Sequence, residues 1–253
     1  MSERTASPPR VLITGTGQSG KMTLFNQLTN GYADRATTPV SAPFVPPKRL
    51  APAPPCSVTR MPTRDDTYTG YEEFSADLAG DGASGAVCAI VCTQATRETV
   101  SLTSGILLAL LDKTEGPILV LLNCIDQLLI DRANDRSRRG GAFDPAAALR
   151  AYLQIDALVP MDYVAKNEVC SNRAQRLSRM FVFPAAISAR SSSNPALFIA
   201  WARPDLRLRG MLFTHQDVVE RFVKPVLEGK PLDAEMFITY DADGRAHYPR
   251  CML

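Results

Sequence analysis

The chain has 253 residues, a formal net charge of +2 and a hydrophobic content of 45%. That length and apolar share suit one large α/β domain with a sizeable core, and the near-neutral charge excludes a global field for nucleic acid or an anionic membrane, so no direct nucleic-acid binding is expected. No segment reaches the ~18 apolar residues of a membrane span, and the cysteines at 56, 88, 92, 124, 170 and 251 show no zinc spacing and suit a reducing cytosol.

Residues 1–9 are polar and read as a flexible N-terminus. Val11–Thr14 is a short apolar run that predicts a first strand, and Lys21–Leu28 predicts a first helix. Between them lies Gly15-Thr-Gly17-Gln18-Ser19-Gly20-Lys21, the pattern of a phosphate-binding loop. Its glycines let backbone N–H groups close around a polyphosphate, the lysine reaches the terminal phosphates, and the following helix points its positive end at the same charge. The full motif places Ser or Thr after the lysine, where a hydroxyl ligates Mg²⁺. Here that position holds Met22, a poor ligand for a hard cation, and the first hydroxyl comes one place late at Thr23. A bound nucleotide is therefore expected, with Thr23 as the remaining candidate for a metal.

Residues 36–56 are proline-rich and predict extended, irregular chain with edge strands at most. Ala86–Cys92 is a near-continuous apolar run, as in a central parallel strand. Residues 97–111 predict a helix, and Ile118–Asn123 another buried strand with a polar residue at its carboxyl end. Residues 131–141 form a charged loop inside an insertion spanning 131–179, with a short helix over Pro145–Leu153. Met180–Ile187 predicts the last core strand and Thr214–Leu227 a closing amphipathic helix. Residues 230–253 read as an appended tail. Strands alternating with helices predict a doubly wound, mostly parallel six-stranded sheet over residues 10–229, with its ligand at the strand carboxyl ends.

Asn123-Cys124-Ile125-Asp126 follows the buried strand where a nucleotide base would lie, and Ser188-Ala189 follows the last strand. These elements resemble the Asn-Lys-x-Asp and Ser-Ala-Lys elements of Ras-like GTPases, in the same order. The resemblance implies that Asp126 accepts hydrogen bonds from guanine N1–H and N2–H₂, that Asn123 braces the phosphate loop, and that Ala189 offers its N–H to guanine O6. Cys124 stands where the family has a lysine covering the base, so affinity is expected to fall while guanine discrimination is kept.

Residues 20–38, with Leu24-Phe25, Leu28, Gly31-Tyr32 and the pair Thr37-Thr38, and the stretch from Cys88 to Val100 narrow the likeness. They resemble the beta-subunit family of the signal recognition particle receptor, which are Arf-related GTPases. That resemblance implies GTP as cofactor, the receptor alpha subunit as direct partner, and the signal recognition particle and ribosome as indirect ones. It places the chain at the cytoplasmic face of the endoplasmic reticulum. Family members usually carry an N-terminal membrane helix, whereas this sequence starts close to its first strand, so it reaches the membrane through a partner, starts short, or is cytosolic.

By the same resemblance Thr38 or Thr37 is the switch threonine that senses the γ-phosphate. Two Asp-x-x-Gly-like elements compete for the second switch. Asp77–Gly80 matches by letter but leaves only residues 81–85 before the next strand. Asp66–Gly70 is one residue too long for the motif, yet it puts Tyr71, Phe74 and Leu78 on one helix face ending at Gly80. We prefer Asp66 and Gly70 on helix length. Neither places a glutamine after the glycine to orient water, so weak GTP hydrolysis at most is expected. The rival readings are a pseudo-GTPase scaffold with a degenerate site and another kind of P-loop nucleotide-binding protein.

Overall fold

A computed structural model describes residues 8–30, 39–46, 54–61, 75, 78, 85–94, 100–123, 125, 129, 144–153, 159–167, 172–185 and 214–252. The strands are β1 (Arg10–Gly15), β2 (Val40–Pro43), β3 (Ser57–Arg60), β4 (Ala86–Thr93), β5 (Ile118–Leu122) and β6 (Met180–Pro184). They form one six-stranded sheet in the order β2-β3-β1-β4-β5-β6. Every pairing is parallel except that of β2 with β3. The expected mostly parallel six-stranded α/β sheet is therefore the observed one.

The apolar runs explain the order. β5 is buried at every position, and β4 is buried from Cys88 to Thr93, as strands covered on both faces must be. β2 alternates between half-buried and exposed residues, which suits the sheet edge, and its closing proline is tolerated there. The sequence reading missed β3, a short strand between the edge and β1 that carries Thr59 and Arg60 among its buried residues.

The helices are α1 (Lys21–Thr29), α2 (Val100–Lys113), α3 (Pro145–Tyr152), α4 (Val159–Asn167), α5 (Arg173–Leu177), α6 (His215–Val218) and α7 (Lys224–Leu227). α4 and α5 were not expected within 131–179. Thr214 opens α6 with a capping box, its hydroxyl accepting from Asp217 N–H while the Asp217 carboxylate accepts from Thr214 N–H. Between α6 and α7 the turn widens to a π-helix over Val219–Val223. Pro225 accounts for it: the ring has no N–H to return to residue 221 and would press on that carbonyl in an ordinary helix.

The expectation of an appended tail from Lys230 does not hold for the packing. Phe237, Ile238, Tyr240 and Met252 are buried in the main core. Ile238 exchanges backbone hydrogen bonds of 2.8 and 2.9 Å with Val182, covering part of the outer edge of β6. Phe181 and Phe183 meet Phe237 edge to face at centroid distances of 5.3 and 6.1 Å. A hairpin follows, β7 (Thr239–Tyr240) with β8 (Ala246–His247), and the Tyr240 hydroxyl donates to the Asp162 carboxylate on α4 at 2.9 Å. Burial first, then Asp162, pushes the Tyr240 phenol upward, so it stays protonated.

Cys88 and Cys92 are buried within the apolar run that forms β4, and Cys56 is buried just before β3. Burial pushes Cys56 up to about 11 and Cys88 upward as well, with Cys56 adding to the effect. No helix among the described residues is long and apolar enough to cross a membrane.

Candidate functional site

The carboxyl ends of β1, β4 and β5 lie side by side, and the loop from Gly15 to Gly20 emerges there. Close packing sets its start. Gly15 has φ +134°, and a Cβ on it would sit 1.9 Å from the Cys92 carbonyl oxygen of β4. Thr16 N–H donates to that same carbonyl at 3.1 Å. Glycine is required here both for backbone angle and for contact.

The loop then curls through left-handed conformations at Gln18 (φ 50°) and Gly20 (φ 87°). Ser19 Oγ donates to the Thr16 carbonyl at 2.7 Å, and the Lys21 ammonium donates to the same oxygen. Among the described residues, no backbone carbonyl accepts from the N–H groups of residues 17–20. A run of unspent N–H groups with alternating backbone hand is an anion-binding concavity. α1 starts from Gly20 with no side-chain cap and no acidic residue in its first turn, which leaves its positive end open to an anion.

Two observations test the fit of a nucleotide's phosphates. The Thr16 hydroxyl, in a residue 1% exposed, has no partner among the described residues, and an unmade bond of that kind is costly unless a ligand supplies it. Lys21 is 5% exposed and folded over the loop. Both suit a polyphosphate.

Mg²⁺ fits less well. Met22 is 38% exposed at the position the motif gives to the metal ligand. Thr23 lies one residue on, rotated by roughly 100° about the helix axis, so its hydroxyl cannot take the same direction. Among the described residues no group of three His, Cys, Asp or Glu could hold a metal ion.

Asn123, 2% exposed just beyond β5, donates from Nδ2 to the Ser19 carbonyl at 2.9 Å. The end of β5 and the loop after β1 are thus tied together. Of the expected site residues, the structure brings together Gly15, Gly17, Gln18, Ser19, Gly20, Lys21, Met22, Thr23 and Asn123. Asp126, Ser188, Ala189, Thr37, Thr38, Asp66, Gly70, Asp77 and Gly80 lie outside the described residues.

Three participants were not singled out from sequence. Thr16 belongs to the loop but is not a motif letter. Gln94 follows β4 and donates from Nε2 to the Gln18 carbonyl at 3.0 Å. Tyr152, closing α3, donates from its hydroxyl to the Gln94 carbonyl at 3.0 Å. A polar residue at the carboxyl end of a buried strand was the available signal for Gln94, the same that marked Asn123. A groove of about 380 Å³ lined by Glu115, Arg179, Phe181, Lys230 and Leu232 sits at the amino ends of β5 and β6. Ligands of such sheets bind at the opposite, carboxyl ends, so it is no part of this site.

No protein-family model matches the chain, and no curated protein matches it. The solved structures that the chain is similar to include the following two. One is the mammalian signal recognition particle receptor, at 21% identity and a TM-score of 0.35, covering 46% of this chain and 63% of that one. The other is the signal recognition particle receptor SRb-GTP/SRX complex from Chaetomium thermophilum, at 13% identity and a TM-score of 0.39, covering 72% and 92%. Both are structures of the receptor that the sequence resembles. The chain spans under two thirds of the mammalian one, and neither likeness carries that protein's site or activity over to this chain.

Proposed function

We propose that this chain is a guanine-nucleotide-binding subunit of the signal recognition particle receptor type. In the GTP state it presents its switches to the receptor alpha subunit, timing the docking of ribosome–nascent chain complexes at the cytoplasmic face of the endoplasmic reticulum. The observation that carries the reading is the Asn123 bond to the Ser19 carbonyl. It joins an Asn-x-x-Asp element at the end of β5 to a phosphate loop with open N–H groups, the layout for holding base and phosphates of one nucleotide. γ-Phosphate contacts would order the switches, and the ordered surface would bind the partner. Hydrolysis is weak in this reading, because neither second-switch candidate supplies a glutamine.

Lys21→Ala tests it. The ammonium is expected to supply charge-assisted bonds to the phosphates, so its loss should weaken GTP about hundredfold. ATP should compete poorly with the parent protein. Equal affinity for ATP and GTP, or a Lys21→Ala variant that binds like the parent, would overturn the reading. Met22 at the metal position favours one second reading, a nucleotide-independent scaffold on the same fold. Binding that ignores both nucleotides would select it.

A further inference from the structure

The phosphate loop is held from outside by two carbonyls in succession. The Ser19 carbonyl accepts from Asn123 beyond β5, and the Gln18 carbonyl accepts from the Gln94 side chain beyond β4. All peptides in the described chain are trans. In a planar trans peptide the C=O and the N–H point in opposite directions. Drawing the Gln18 carbonyl toward the strand ends therefore turns the Ser19 N–H the other way, into the curve of the loop. Asn123 does the same for the next N–H, at Gly20.

Gln18 needs this help. It is a non-glycine residue at φ 50°, and left-handed backbone is disfavoured for a side chain that offers no local bond in return. Glycines take the other positive-φ positions of the loop, at 15 and 20, but at 18 the sequence has a glutamine. An external donor on its carbonyl is what fixes the peptide plane. Gln94 is itself seated by the Tyr152 hydroxyl, which donates to the Gln94 carbonyl at 3.0 Å. Tyr152 is buried and closes α3 of the insertion. A three-part contact therefore runs from the insertion through the end of β4 to the phosphate loop.

We propose that Gln94, seated by Tyr152, is a positioning residue for the phosphate loop that turns the Ser19 N–H toward the phosphates of a bound nucleotide. Asn123 occupies the motif position implied by the resemblance, whereas Gln94 and Tyr152 belong to no motif of the loop. The insertion helix then sets nucleotide affinity without touching nucleotide. This rests on the nucleotide-binding reading above.

The test uses the full chain, with GDP and GTP affinities measured by titration of fluorescent analogues. Gln94→Ala removes the donor and should weaken both nucleotides about tenfold, the size of one lost hydrogen bond. Gln94→Lys keeps a donor at similar reach and should stay within about threefold of the parent. Gln94→Glu sets a carboxylate against the Gln18 carbonyl and should bind more weakly than Gln94→Ala. Tyr152→Phe, which removes only a hydroxyl, should weaken both nucleotides by about threefold. A merely structural role would not be rescued by lysine. Parent-like affinity in Gln94→Ala, or a Gln94→Lys as weak as Gln94→Ala, overturns the proposal.

Hydrogen exchange of the nucleotide-free protein separates this from failure of the nucleotide reading. Gln94→Ala should raise exchange at the bonded amides that flank the loop, Thr16 N–H on the Cys92 carbonyl and Leu24 N–H on the Gly20 carbonyl, read in a peptide spanning residues 12–26, whether or not the parent binds GTP. Unchanged exchange there overturns the positioning role. Raised exchange in Gln94→Ala, with a parent that binds no nucleotide, upholds the hold of Gln94 on the loop and overturns the nucleotide reading.

Discussion

Replacing Asn123 by alanine isolates the tie between base-side strand and phosphate loop. Its Nδ2 donates to the Ser19 carbonyl at 2.9 Å, and Asn123 and Ser19 are 2% and 1% exposed. Water cannot readily take the donor's place, so the carbonyl is left unsatisfied at a cost of about 1–3 kcal/mol. Taking about 2 kcal/mol for a domain of this size, Tm should fall by about 4–8 °C. Differential scanning calorimetry reads this directly, with no nucleotide added. The same variant should weaken GTP by about tenfold or more, because the Gly20 N–H loses the carbonyl anchor that aims it. Asn123→Asp should do worse on both counts, since it sets a carboxylate against a carbonyl. A Tm within about 1 °C of the parent in the alanine variant would refute the reasoning, because that bond would then carry no net stability.

The remaining perturbations probe the loop start, the metal position and the buried thiols. Gly15→Ala should destabilise by about 3 kcal/mol or more in urea unfolding, because its Cβ would lie 1.9 Å from the Cys92 carbonyl oxygen at φ +134°; an unchanged midpoint would contradict the close approach. Met22→Thr restores a hydroxyl at an exposed site, so it should leave Tm unchanged and give GTP binding a gain of about tenfold on adding Mg²⁺. For Cys56 the folded thiol keeps its proton to about 11 against an ordinary 9.0. Its contribution to stability is full below pH 9.0 and is lost as pH rises toward 11. Urea midpoints should accordingly drop between those values, and Cys56→Ala should drop less.

Legibility in the sequence followed the range of the interaction that fixes each element. β1, β4, β5 and the phosphate loop were readable because apolar runs and glycine spacing are local. Asn123 was readable as a polar residue closing a buried apolar run, whereas its bond to the Ser19 carbonyl spans 104 residues of sequence. β3 was hidden by its brevity, by the prolines before it and by Thr59 and Arg60, whose burial depends on neighbouring strands. α4 and α5 have mixed composition and are held from outside, for example by Ser104 Oγ donating to the Pro160 carbonyl at 3.2 Å. The segment Phe237-Ile-Thr-Tyr240 did carry a strand-like signal, yet its place against β6 is a long-range pairing that periodicity cannot assign. Gln94 and Tyr152 act on Gln18 across 76 and, through Gln94, 58 residues of sequence separation, beyond the reach of any local pattern.

The most direct test of the central claim is the nucleotide held by gently purified protein, identified by chromatography after denaturation and paired with competition of GTP and ATP for the refilled site. Guanine nucleotide in the released fraction, with GTP displacing a fluorescent analogue far better than ATP, is the expected result. A protein that releases no nucleotide and binds neither GTP nor ATP would contradict the claim and leave the fold as a scaffold.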